Sequence, residues 1–172
     1  METVRKTAVC VLVLSVLILA GCENTDPTPA EREVIDEAVR GYLHALAEAY
    51  STLDTSPLEG YASPNEILAV QKLLKDLLRK TGDRIDAQLV GYEVETMSVF
   101  RGINATVKLL EVWDITRYGA ANGIEKGRYE STLQKTLLQL RLVEDRWLIV
   151  GRSNLSQETP VPEAEPETGD GA

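Results

Sequence analysis

Gly82 divides this chain by period. From Pro29 up to it, apolar residues recur every three or four positions; beyond it they alternate. A period of 3.6 specifies helices with one buried stripe, and a period of 2 specifies strands with one buried face. Helices followed by strands, without interleaving, predict an α+β domain. Two N-terminal helices pack on a strongly curved antiparallel sheet of about four strands.

Both helices start in the same way. Thr28-Pro29-Ala30-Glu31 and Ser63-Pro64-Asn65-Glu66 each supply a hydroxyl N-cap, proline at the first helical position, and a glutamate placed to close a capping box. The first helix is expected from Pro29 to Tyr50, with Ile35, Val39, Tyr42, Leu46 and Tyr50 on its buried stripe and His44 on the opposite side. The second is expected from Pro64 to Lys80, burying Ile67, Val70, Leu74, Leu77 and Leu78 and capped by Gly82. Lys72, Lys75 and Arg79 form a solvated face suited to its C-terminal half.

Strands are expected near Ile85–Phe100, Ile103–Tyr118, Arg128–Val143 and Arg146–Ser153, with a bulge or bend at Gly91. A turn centred on Asn122-Gly123 opposes Trp113 to Thr132, Glu111 to Gln134, Leu109 to Thr136 and Val107 to Leu138. It also opposes Ala105 to Leu140 and Ile103 to Leu142. A second turn at Glu144-Asp145 opposes Leu142 to Trp147 and Leu140 to Ile149. Both hairpins put Leu138, Leu140 and Leu142 on one face, and a one-residue slip would break that agreement. The core face then carries one polar group: Glu111 and Gln134 beside Trp113, Thr132 and Thr136. With Tyr42 these are the candidate pocket-lining residues. The other face carries Leu110, Val112, Leu133, Leu137, Leu148 and Val150, an apolar area suited to an envelope protein or a second copy.

The N-terminal segment reads differently. Arg5 and Lys6 precede an apolar run from Thr7 to Leu19, shorter than the roughly 20 residues of a membrane span and suited to the h-region of a signal peptide. The ending Leu19-Ala20-Gly21-Cys22 resembles the lipobox of bacterial lipoproteins. That resemblance implies cleavage after Gly21 and acylation of Cys22, hence anchoring to membrane lipid on the extracytoplasmic side of the cell envelope. Residues 1–21 are thus expected to be a signal peptide and 22–28 a short tether. Residues 29–155 are expected to form the domain, and 156–172, rich in proline and acid, a disordered tail.

Charge and composition exclude several functions. A net charge of −9 argues against nucleic acid as partner, because phosphate binding needs clustered cations. With two cysteines, one in the leader and one at the lipobox, and a single histidine, no metal or cofactor site is expected.

Helix, helix, then a bent sheet ending Leu140-Arg141-Leu142-Val143-Glu144-Asp145-Arg146-Trp147-Leu148-Ile149-Val150 resembles the nuclear transport factor 2-like (SnoaL-like) cone fold. Glu111-x-Trp113 at the end of an earlier strand is similar too. The passage from Ala105 to Trp113 and the closing hairpin also resemble the intermembrane-space domain of plastid and cyanobacterial division proteins, which implies a protein-binding module. The expected function is a non-enzymatic binding or protein-interaction domain at the membrane, able to take a small apolar ligand. The alternative is a pocket enzyme of the isomerase or dehydratase kind, with Glu111 as the tuned carboxylate and Tyr42 or Tyr50 as hydroxyl donor. A cavity beside Glu111 favours a small ligand, whereas a packed interior favours protein binding.

Overall fold

The computed structural model describes residues 24–158. The expected leader, Cys22 and most of the acidic tail lie outside that range. Within it the order is β1 (Asn24–Thr25), α1 (Pro29–Thr52), a 3-10 turn (Ser56–Gly60), α2 (Pro64–Thr81), β2 (Asp83–Phe100), β3 (Asn104–Gly119), β4 (Glu125–Val143) and β5 (Arg146–Glu158). The five strands form one open antiparallel sheet in chain order, with the helices on its concave face.

Thr28 starts α1 with the capping box its sequence predicts. Its hydroxyl accepts from the Glu31 N–H, while the Glu31 carboxylate accepts from the Thr28 N–H at 2.9 Å. The Thr28 hydroxyl, which also donates to Glu31 Oε2 at 2.7 Å, and then the Thr28 N–H hold the Glu31 carboxyl below its ordinary range. Ile35, Val39, Tyr42 and Leu46 are fully buried and His44 is exposed. A close approach fixes Gly41, since a Cβ there would lie 2.1 Å from the ring of Tyr61. Helix α2 ends on Gly82 in the left-handed region (φ 67°), as expected. Its buried stripe is narrower than the periodicity implies: Val70 and Leu74 are buried, Leu77 is half-buried, and Leu78 is exposed.

The strand registers follow both hairpins. Trp113 opposes Thr132, Glu111 opposes Gln134, Leu109 opposes Thr136, Val107 opposes Leu138, and Ala105 opposes Leu140. Leu140 opposes Ile149 and Leu142 opposes Trp147. The first hairpin reaches this register by a different route. Its loop lies between Gly119 and Glu125, and β4 carries one extra residue near Lys126 and another beside Ser131. The second bulge places Ser131 in the left-handed region (φ 52°), and its N–H donates to Asp114 Oδ1 at 2.8 Å. The hairpin base is clamped by Asp83, 1% exposed, which accepts from Lys126 and Arg117. Those two bonds hold its carboxyl below the usual range. In β2 the break in alternation is a bulge between Leu89 and Gly91, with a second between Val94 and Thr96.

Two boundaries differ from expectation. Residues 24–25 are not free tether: they pair with Phe100 and Val99 at the end of β2, and Pro27 is buried. The last strand continues to Glu158, opposite Leu133, and takes in the first residues assigned to the tail. Long strands on one curved sheet leave paired backbone for both segments. No helix among the described residues is long and apolar enough to cross a membrane.

Candidate functional site: a cleft between α2 and the concave sheet

Strand alternation brings Glu111 and Trp113 to the concave face two residues apart, where the Trp113 indole N–H donates to Glu111 Oε2 at 2.8 Å. Glu111 is fully buried. The same carboxylate oxygen accepts from Arg152 Nη2 at 2.7 Å, forming a buried ion pair. Arg152 also donates to Thr136 Oγ1 at 3.4 Å and, through Nη1, to Asn154 Oδ1 at 3.2 Å. Burial opposes the guanidinium charge, but the Glu111 carboxylate together with the Tyr50 and Tyr42 phenols outweighs it, so the Arg152 pKa lies above its ordinary value. Among the described residues, Glu111 Oε1, Thr132 Oγ1 and Arg152 Nε are buried without a hydrogen-bond partner.

Sequence reasoning missed Arg152 for a definite reason. Simple alternation from Trp147 and Ile149 would send it outward. The register instead shifts between Ile149 and Gly151, making Val150 an extra residue and turning Arg152 inward opposite Leu138. One bulged residue exchanges the two faces for everything beyond it. Gly151, an isolated glycine inside a strand pattern, is the signal that points to this bulge.

Glu66 is the second missed residue. Ser63 caps α2 by accepting from the Glu66 N–H, but the glutamate side chain does not return to close a box. It turns inward, 7% exposed, and accepts from the Tyr42 hydroxyl at 2.8 Å. Burial, then the neighbouring Glu66 carboxylate, pushes the Tyr42 phenol far above its ordinary range.

These residues border a cleft in two connected parts. The inner part, about 180 Å³, is walled by Leu74 and Leu77 of α2 and by Ile85, Ala87, Trp113 and Ile115 of the sheet, with Gln134, Arg152 and Asn154 at its polar end. The outer part, about 200 Å³, is bordered by Leu46, Glu66, Ala69 and Val70. Tyr50, Leu73, Arg152 and Asn154 belong to both. Leu73 is 53% exposed and forms the rim.

The expected pocket group is therefore partly assembled. Trp113 and Gln134 line the cleft, and Glu111 lies behind them, bonded to Trp113 and Arg152. Thr132 and Thr136 are buried in the sheet. Tyr42 is in the core rather than on the cleft wall, a correction that follows from its bond to Glu66; Tyr50, two stripe positions later, lines the cleft. Burial raises the Tyr50 phenol, with Arg152 acting against it.

On the convex side Leu110, Val112, Leu137, Leu148 and Val150 are half-buried and Leu133 is exposed. Glu95 interrupts this area, bridging Lys108 at 3.3 Å and Lys135 at 3.1 Å. Among the described residues no cluster of three or more His, Cys, Asp or Glu could hold a metal ion.

No protein-family model and no curated protein matches the sequence. Among solved structures, the intermembrane-space region of the chloroplast protein ARC6 is similar at a TM-score of 0.57 and 14% identity, over 72% of this chain and 95% of that one. A protein of unknown function with a cystatin-like fold from Nostoc punctiforme is similar at a TM-score of 0.45 and 10% identity, over 80% and 98% of the two chains. The first similarity is one of fold, in keeping with the resemblance carried by the closing hairpin.

Proposed function

We propose that this chain is an envelope lipoprotein, anchored through acylated Cys22, whose domain is a non-enzymatic binding module with the α2–sheet cleft as its site. The observation that carries this reading is the pairing of Glu111 behind an open, largely apolar cleft. A pocket of apolar walls with a few convergent polar groups is the usual form of a small-ligand site. A general base must come within about 3 Å of the proton it removes. Glu111 instead presents one oxygen to Trp113 and Arg152 and keeps the other buried. The isomerase-like alternative requires that ion pair to open, and so it is the weaker reading. The fold shared with an intermembrane-space region gives modest support to an envelope location.

Two measurements test the proposal. Cys22→Ser should abolish incorporation of a fatty-acid probe; retained labelling would remove the anchor. A neutral solvatochromic dye should bind saturably at one site, and Leu77→Asp at the half-buried wall should weaken that binding at least tenfold. Dye binding unchanged by Leu77→Asp would overturn the cleft as the binding site.

A further inference from the structure

The two parts of the cleft differ in charge, and the difference specifies a ligand. Among the described residues Arg152 is the only cation on the walls; it borders both parts, and its charge is already matched by Glu111 at 2.7 Å. Among the described residues Glu66, on the outer part, is the only carboxylate on the walls. It is more than nine-tenths buried, and its one side-chain partner is the neutral Tyr42 hydroxyl. No ion pair reaches Glu66 among the described residues. A phenol donates one hydrogen bond to a carboxylate but does not neutralise it, and a buried charge is costly until it is paired. Counted by side chain, the cleft and the groups behind it hold two carboxylates, Glu66 and Glu111, against one guanidinium, Arg152, among the described residues.

We infer that the cleft takes a small amphiphilic ammonium, its head on Glu66 in the outer part and its apolar body against Leu74, Ala87 and Trp113 in the inner part. This inference rests on the cleft being the binding site. An ammonium has three donors and no acceptor. Glu66 supplies the opposing charge, and the Tyr50 phenol borders the same space. An anionic amphiphile meets Glu66 in the outer part, and the Arg152 that borders both parts has its Nη1 and Nη2 donors engaged by Glu111, Thr136 and Asn154, which leaves only the buried Nε.

The full chain in lipid nanodiscs, labelled with 5-fluorotryptophan, offers two ¹⁹F signals, one for each tryptophan. Trp113 reports on the cleft, and Trp147, outside it, is the internal control. Titration with hexylammonium, hexanol and hexanoate should shift Trp113 alone, with hexylammonium at least tenfold tighter than hexanoate. Glu66→Gln keeps an acceptor for the Tyr42 hydroxyl and should remove that preference. Leu73→Lys, at an exposed position, should weaken hexylammonium at least tenfold without moving the Trp147 signal. If hexanol or hexanoate binds as tightly as hexylammonium, or if both variants keep the preference, the ammonium inference is overturned while the cleft stands as a binding site. If none of the three shifts Trp113, both readings fall.

Discussion

Arg152 donates to three acceptors from three positions of the sheet, and Glu111 depends on it for charge. Removing one member of a buried pair leaves the other uncompensated, which typically costs about 3–5 kcal/mol. Arg152→Ala should therefore destabilise the domain by that amount in urea unfolding. Arg152→Met combined with Glu111→Leu should recover most of the loss, because replacing both charges removes two desolvation costs at once. A double variant no more stable than Arg152→Ala would mean that the pair itself holds the sheet together. At this scale the sequence was half legible. Glu111 and Trp113 were placed inward by strand alternation, since β3 runs unbroken from Asn104 to beyond Trp113. Arg152 was hidden by the bulge at Val150, and Glu66 by a capping motif that its neighbour Ser63 satisfies only halfway.

Between secondary-structure elements, the turns decide the register, and they differ in how well their residues suit them. The β4–β5 turn has two residues, Glu144 and Asp145, both left-handed at φ 49° and 61°. Such a turn matches the twist of its flanking strands but favours Asn-Gly, because a Cβ is crowded in that region. Glu144→Asn with Asp145→Gly should raise stability by about 1 kcal/mol in chemical denaturation, with the sheet signal in circular dichroism unchanged. A loss of stability would show that the two acids make compensating contacts. The helix starts were legible to the residue, because a hydroxyl cap and a proline mark them independently of packing. Gly82 likewise marks the end of α2, whereas α1 runs to Thr52, past the expected Tyr50, and closes on a left-handed Leu53 that no glycine signals. Sheet bulges were not legible, except at Gly91. They depend on how two strands curve together, and neither strand records that alone. The β3–β4 register illustrates the point: two bulges on β4 restore pairings that a symmetric turn on Asn122-Gly123 would produce.

Across the whole molecule, β1 occupies one end of the sheet and the cleft the other. Asn24 and Thr25 pair with Phe100 and Val99, whereas the cleft is walled by Ile85 and Ala87 on the same strand. At roughly 3.3 Å per residue, Val99 and Ala87 are about 40 Å apart along β2. Cys22 precedes Asn24 by two residues, a reach of at most about 7 Å. In acylated protein on vesicles, a fluorophore attached through Ile103→Cys should be quenched by a headgroup-level lipid quencher, while one at Leu73→Cys should not. Both positions are about half exposed, so accessibility does not separate them. Equal quenching would mean that β1 does not orient the domain.

The pairing of β1 then bears on how a ligand arrives. A domain swinging on a loose tether could sweep its mouth across the lipid surface and collect molecules by a search in two dimensions. If Cys22 is acylated as proposed, the base is held at the bilayer with the opening about 40 Å away along β2, and capture would become a three-dimensional search from the surrounding fluid. Its rate would then follow the free concentration of ligand rather than the amount dissolved in the membrane.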